Sequence, residues 1–172
     1  EPPCIQKPYP PLWIAAGRPD TIANAAESGF NLLLDQIAPF DVIGERLAVY
    51  RDRTVALGRK FDAQRVAVAR ALHITRTEAE REEAHVLRGR LLGGISRLSR
   101  VRGGGGHEST MLQYNDTRLA TEEGALIGPP EEIIERLHRL RGHGVDYVLL
   151  IDVTGSRESL RTFQREIMPE FE

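Results

Sequence analysis

The sequence predicts an α/β fold with a parallel sheet covered by helices, and two observations carry that prediction. Short, wholly apolar runs alternate with helix-length amphipathic segments, and glycine or proline punctuates the joints. Strands that are apolar at every position are buried on both faces, as in a parallel sheet enclosed by helices. The 172 residues, 41% of them hydrophobic, suffice for one sizeable core, so the chain reads as a single domain over 1–172.

The elements follow in order. Pro2, Pro3, Pro8, Pro10 and Pro11 exclude a helix or central strand from the first eleven residues, which read as an extended lead-in. Leu12 to Ala16 is the first buried strand. Gly17 closes it, Pro19 opens a helix that continues from Thr21 to Ser28, and Gly29 stops that helix. Phe30 to Leu34 is the second strand. Asp41 is then placed to cap a helix that presents Ile43, Leu47 and Tyr50 on one face and ends at Gly58. Val66 to Thr75 is the third strand, and Thr77-Glu78-Ala79-Glu80 fits a capping box before a charged helix towards Leu92.

Residues 99–125 break the rhythm with weak periodicity and the run Gly103 to Gly106, the mark of a variable, flexible insertion. After Gly128-Pro129-Pro130, the apolar positions Ile133, Ile134 and Leu137 mark a helix ending near Gly142 or Gly144. Val145 to Ile151 is the fourth strand, and Ser156 can cap a last helix reaching Met168. Four such units satisfy an open sheet and a barrel equally. A closed eight-unit barrel takes about 250 residues, so this chain holds material for half of one.

Net charge is −2 and the isoelectric point about 6.3, which gives no bulk attraction to nucleic acid or to an anionic membrane. A single cysteine, Cys4, excludes an internal disulfide and a thiolate cluster and points to a reducing cytoplasm. The chain carries neither a bilayer-length apolar run nor a signal-peptide pattern. It begins at Glu1 without a methionine, so the expectation is a processed or truncated chain, or a piece of a longer one. His138 and His143 flank one helix end with no ligand-spaced cysteine or carboxylate, so no metal site is expected. No Ser-His-Asp or Cys-His set exists, and no catalytic residue is assigned.

The turn after the first strand is the leading candidate site. A helix start offers unpaired N–H groups and a positive dipole end, which suit a phosphate. Gly17 permits close backbone approach, Arg18 adds a charged fork and Thr21 a hydroxyl, while Asp20 sets a carboxylate beside them. Thr154-Gly155-Ser156, the small-residue turn after the fourth strand, ranks second. Arg70 and His73 fall on opposite faces of the third strand, and Arg70 reads as a paired structural arginine. Arg88, Arg90, Arg97, Arg100 and Arg102 form a basic stretch without interleaved aromatics, which argues against nucleic acid. His107 within it reads as solvated.

A family resemblance runs through both ends of the chain. Gln6-Lys7-Pro8-Tyr9-Pro10-Pro11-Leu12-Trp13-Ile14-Ala15-Ala16, then Ala25-Ala26-Glu27-Ser28-Gly29, then Ile127-Gly128-Pro129-Pro130-Glu131-Glu132, resemble in order and spacing segments of the bacterial-luciferase-like flavin monooxygenases. Gly144-Val145-Asp146 and the stretch from Ser159-Leu160 to Met168-Pro169-Glu170-Phe171 resemble that family's last strand and helix. The resemblance implies strands five to eight of a (β/α)₈ TIM barrel, the carboxyl-terminal half. It implies a cofactor, reduced FMN, whose phosphate is held at the positions of Gly17, Arg18 and Thr21. It implies monooxygenation of a small organic substrate, and it leaves the region of the glycine run as either a lid over the flavin or a simply disordered stretch. The alternatives are an oxidoreductase using a deazaflavin coenzyme, and a non-catalytic half-barrel serving as an assembly or flavin-holding module. A half-barrel exposes strand edges and its apolar inner layer, so association with an amino-terminal half-barrel or with itself is expected.

Overall fold

Two residues of one central strand, Val68 and Leu72, fix the order of the whole sheet, because each has a neighbour on both sides. The computed structural model describes residues 3–7, 9–99, 117–152 and 157–172. Among these run five strands, all paired in parallel: β1 (Trp13–Ala15), β2 (Asn31–Leu34), β3 (Val66–Ile74), β4 (Leu126–Gly128) and β5 (Val148–Asp152). Val68 pairs with Leu34 of β2 and with Val148 of β5, so those strands flank β3 on opposite edges. Leu72 pairs with Leu126 of β4 and with Asp152 of β5, so β4 lies on the same edge as β2, beyond its end. The sheet therefore runs β1-β2-β3-β5 in chain order, as successive parallel units require.

The strand β4 departs from the sequence expectation. Three residues between Ala125 and Pro129 are too few to show a period, and they lie at the boundary of the irregular stretch. The strand has room because β2 leaves the edge of β3 after Leu34, where the chain turns at Asp35.

Six helices are described: α1 (Pro19–Ser28), α2 (Phe40–Ala56), α3 (Glu78–Ser99), α4 (Thr117–Gly124), α5 (Pro130–Gly142) and α6 (Arg157–Thr162). The last continues through a π-helical turn, Phe163–Ile167, and a 3₁₀ turn, Met168–Phe171. Gly29 closes α1 at φ 72°, and the N–H groups of Gly29 and Phe30 return to the carbonyls of Ala26 and Ala25. The capping box at α3 is formed: Glu80 N–H donates to Thr77 Oγ1, and Thr77 N–H to Glu80 Oε2, each at 3.2 Å. Helix α3 runs past Leu92 through Gly93 and Gly94.

Asp41 does not cap α2, as its sequence position suggested. Pro39 stands at the cap, and the Asp41 carboxylate in the first turn accepts from Arg139 at 2.9 Å and lies 3.2 Å from His143 Nε2. A tertiary partner from the end of α5 thus takes the carboxylate that local logic gave to the backbone. Ser156 and most of the expected insertion lie outside the described residues.

One face of the sheet carries the core. Leu32, Leu34, Val66, Val68 and Leu72 pack with Ile22 of α1, Ile43 and Leu47 of α2, Ile133 and Leu140 of α5, and Ile167. The opposite face follows the other register, with Ala67, Ala69 and Ala71 along β3, Leu33 beside them, and Leu149 and Ile151 on β5. At its carboxyl end Ala71 and Ile127 join Ala84 of α3 and Ala125 in a small buried cluster. Elsewhere this face is open: Trp13, Tyr147, Leu149 and Ile151 are all exposed. Trp13 of β1 and Tyr147, just before β5, touch across the two strands that lie between them, so the face is concave.

Candidate functional site

In parallel β/α sheets, ligands gather at the carboxyl ends of the strands, where loops rather than ladders present polar groups. Gly17, Arg18 and Thr21 lie at that end of β1. Pro19 occupies the first helical position of α1, and Arg18, extended at φ −89° and ψ 141°, stands at the cap without a side-chain bond to the helix. The first helical hydrogen bond runs from Ile22 N–H to Arg18 C=O. The N–H groups of Asp20 and Thr21 thus fall outside the helical ladder.

An anion already sits on this turn, and it is the carboxylate of Asp20. Its Oδ1 accepts from Thr21 N–H at 2.8 Å, from Thr21 Oγ1 at 3.3 Å and from Arg18 Nε at 3.4 Å. Its Oδ2 accepts from Arg18 Nη2 at 3.3 Å. The Thr21 N–H bond, with Arg18 adding its charge, holds the Asp20 carboxyl below its ordinary range. Arg18 and Thr21 are therefore brought together. Gly17 lies directly before them, and its φ is not in the left-handed region.

The adjacent loop, at the carboxyl end of β2, is held by three arginines. Asp35 Oδ1 accepts from Ile37 N–H at 2.8 Å and Ala38 N–H at 2.7 Å, a turn closed by its own side chain. Arg46 of α2 pairs with Asp35 Oδ2 at 2.5 Å. Arg70, fully buried, donates to the carbonyls of Asp35 and Ala38 at 2.9 Å each, with its guanidinium 5.2 Å from the Phe40 ring centre. Arg88 of α3 reaches the same loop from the other side, at Gln36. Gly124 completes the enclosure, since a Cβ there would collide with the Ile37 carbonyl.

The expectations for β3 resolve in register. Arg70 shares the helix-facing side with Val68 and Leu72 and serves the loop, as a structural arginine does. His73 shares the concave side with Ala71, and its buried Nδ1 has no hydrogen-bond partner among the described residues. Arg88, grouped by sequence with a basic stretch, is instead buried at 1% exposure, because it lies on the α3 face turned to the sheet. Residues 153–156 and 100–116, with the second-ranked turn, the glycine run and His107, lie outside the described residues.

Gln36, Asp35 and Arg46 escaped the sequence reading. Only the pattern Asp-x-x-Ala-Pro after a strand hinted at a closed turn, and no local signal reveals partners 11 and 52 residues away. His138 packs on the Phe171 ring at 4.7 Å, and no group of metal-holding side chains occurs among the described residues. A cleft of about 500 Å³ between α5, β5 and the C-terminal turns is lined by Val145 and Asp146, which places it at the opposite end of β5 from these loops. No described helix is long and apolar enough to cross a membrane.

Residues 1–147 match the family model of luciferase-like monooxygenases. No curated protein matches the chain. Among solved structures, it is similar to the monooxygenase RslO1 of Streptomyces bottropensis at 24% identity and a TM-score of 0.64, covering 97% of this chain and 50% of that one. It is similar to the oxygenating constituent of 3,6-diketocamphane monooxygenase from Pseudomonas putida, solved with FMN, at 17% identity and a TM-score of 0.59, covering 91% and 47%. It is also similar to the coenzyme F420-dependent tetrahydromethanopterin reductase of Methanopyrus kandleri at 14% identity and a TM-score of 0.63, covering 94% and 51%. These likenesses show the fold, and the chain spans about half the length of each protein.

Proposed function

This chain belongs to the luciferase-like monooxygenase family, and from that premise we propose that it forms strands five to eight of a (β/α)₈ barrel that binds reduced FMN through Gly17, Arg18 and Thr21. The observation that carries the reading is the convergence of the Arg18 guanidinium, the Thr21 N–H and the Thr21 hydroxyl on one carboxylate, that of Asp20. A donor set that holds a carboxylate suits a phosphate, and the incumbent is easily displaced. Both partners of the Arg18–Asp20 pair are more than half exposed, so water screens their attraction and the pair holds together only weakly. Asp20 is thus a placeholder that a dianion outcompetes.

When bound, reduced FMN supplies the reaction with oxygen that transfers one oxygen atom to a small organic substrate. The residues of this chain bind and orient. Arg18 and Thr21 anchor the phosphate at the head of α1, the arginine-held loop Asp35–Ala38 keeps the neighbouring rim rigid, and the apolar concave face excludes water. The same donors suit the phosphate of a deazaflavin coenzyme, and the absorption spectrum of the bound cofactor separates the two.

The concave face supports the second half of the reading. Trp13, Tyr147, Leu149 and Ile151 remain 37–43% exposed on one surface, and β1 and β5 present unpaired edges among the described residues. Four further strand–helix units, contiguous or supplied by a second polypeptide, would cover this face and pair those edges. Titration of the chain with FMN, alone and with an amino-terminal half-barrel, tests both parts. Saturable binding that weakens in Arg18→Ala and tightens with the added half is the expected result. Binding indifferent to Arg18 overturns the phosphate site. A monodisperse monomer that ignores the added half and binds no apolar dye overturns the half-barrel; in that case, a lone flavin-holding or assembly module is the alternative.

A further inference from the structure

Arg88 of α3 is a deeply buried cation, and its partner among the described residues is an amide. Its exposure is 1%, and its Nη2 donates to Gln36 Oε1 at 3.0 Å and, weakly, to the Gln36 carbonyl at 3.4 Å. Its Nε has no partner among the described residues. Burial pushes the guanidinium below its ordinary range, and no carboxylate among the described residues holds it up. A buried guanidinium is costly unless it is paired with an anion and fully hydrogen-bonded. Glutamate at position 36 has nearly the same shape and would supply that charge. The chain places glutamine there.

The amide offers what a carboxylate cannot. Arginine only donates, so the Gln36 end that meets it must be oxygen, and the orientation of the amide is determined. Its Nε2 is then turned away from Arg88 with two N–H donors. Gln36 is half-buried, and no protein acceptor for Nε2 occurs among the described residues. The loop beneath it is immobilised by Asp35, Arg46 and Arg70. It stands at the carboxyl end of β2, the strand next to the one whose end carries Gly17, Arg18 and Thr21. A donor held this firmly at the rim is pre-organised for an acceptor that arrives with the ligand.

We propose that Gln36 donates a hydrogen bond from Nε2 to an oxygen acceptor of the ligand anchored at Gly17–Thr21, with Arg88 as the positioning residue that fixes its amide. The assignment rests on the phosphate reading above and adds to it a second polar contact. The conjugated positive charge behind the amide strengthens its N–H groups and favours an acceptor that is anionic or electron-rich.

Gln36→Glu in the full chain separates this role from a structural one, because it moves stability and affinity in opposite directions. The new carboxylate pairs with Arg88, so the thermal midpoint rises. The same change removes the donor and sets a negative charge at the rim, so the dissociation constant for FMN, read by quenching of its fluorescence, increases tenfold or more. Arg88→Met frees the amide to rotate and weakens FMN binding severalfold while leaving Gln36 in place. A Gln36→Glu protein that binds FMN as tightly as the parent overturns the assignment, as does one whose affinity falls only together with its thermal midpoint. Loss of this effect with the Arg18→Ala effect intact overturns Gln36 alone. A parent chain that takes up no FMN overturns the anchoring turn and this contact together.

Discussion

Trp13 and Tyr147 meet edge to face with ring centres 5.9 Å apart and planes at 79°, although β2 and β3 lie between the strands they flank. Three strand spacings on a flat sheet come to about 14 Å. The contact is possible because the sheet curls, bringing the two outer positions together on one face. Trp13 is the sole tryptophan of the sequence, so its emission reports on the concave face alone. Addition of an amino-terminal half-barrel is expected to shift that emission to the blue as the ring loses water. Association seen by size-exclusion chromatography without any spectral shift would mean that the partner docks elsewhere.

Asp20→Asn removes the anion that now occupies the turn at the head of α1 while keeping a side chain of the same size. Arg18 and Thr21 are released, and inorganic phosphate or FMN should bind several times more tightly. Isothermal titration at neutral pH reads the change, and weaker binding in this variant would show Asp20 to be part of the site instead of its competitor.

Arg70→Met leaves the buried carbonyls of Asp35 and Ala38 without their donor. Each such loss costs about 1–3 kcal/mol, so the variant should unfold roughly 2–6 kcal/mol more easily in urea. Arg70→Lys restores the charge, but its single compact ammonium cannot copy the planar fork in which Nη1 and Nη2 each serve one carbonyl, and only part of the loss is expected to return. Equal stability of the lysine variant and the parent would refute the two-carbonyl bridge.

Gly124→Ala tests the same loop from outside. The added methyl runs into the Ile37 carbonyl, which belongs to backbone and cannot swing aside. Overpacking of this kind typically costs about 1–3 kcal/mol. A thermal melt indistinguishable from the parent would show the loop to be more yielding than its hydrogen bonds imply.

Acid should destabilise the fold in two stages. Burial, reinforced by Arg81, lowers the pKa of His85 below its ordinary 6.5. Just below that value the unfolded chain binds the extra proton and the folded one does not, so the stability present above 6.5 is lost as the pH falls towards the folded pKa. Further down, Asp41 and Glu166 contribute. Hydrogen bonds from Arg139 to the first and from Arg76 to the second depress their pKa values. Their contribution is complete above the unfolded carboxylate range and disappears as the pH drops through the folded values. Thermal midpoints from neutral pH to about pH 4 should decline throughout, and His85→Gln should flatten the upper part alone. An unchanged upper slope in that variant would remove His85 from the account.

Period and punctuation made most of the scaffold readable. Apolar runs located four strands, Gly29 ended α1 through its left-handed conformation, and Thr77 with Glu80 started α3 as a capping box, because each of these signals acts within a few residues. The short strand β4 was hidden because its pairing depends on the space β2 vacates, which no local pattern encodes. Asp41 was misread for the related reason that Arg139, far away in sequence, outbids the backbone for its carboxylate. At the site, helix-start chemistry pointed to Gly17, Arg18 and Thr21. Nothing local distinguished the buried Arg88 from the exposed Arg90, or marked Gln36 as its partner.

The alanines along the concave side of β3 couple the two walls of the proposed barrel. Methyl groups at 67, 69 and 71 leave a hollow that the described residues close at its ends, with rings at one and α3 at the other. Bulk for the middle layer must then come from the facing strands, so side-chain sizes on the two walls are matched like a key and its ward. Exchange of either half for that of a distant relative is expected to fail unless the middle layer is redesigned along with it.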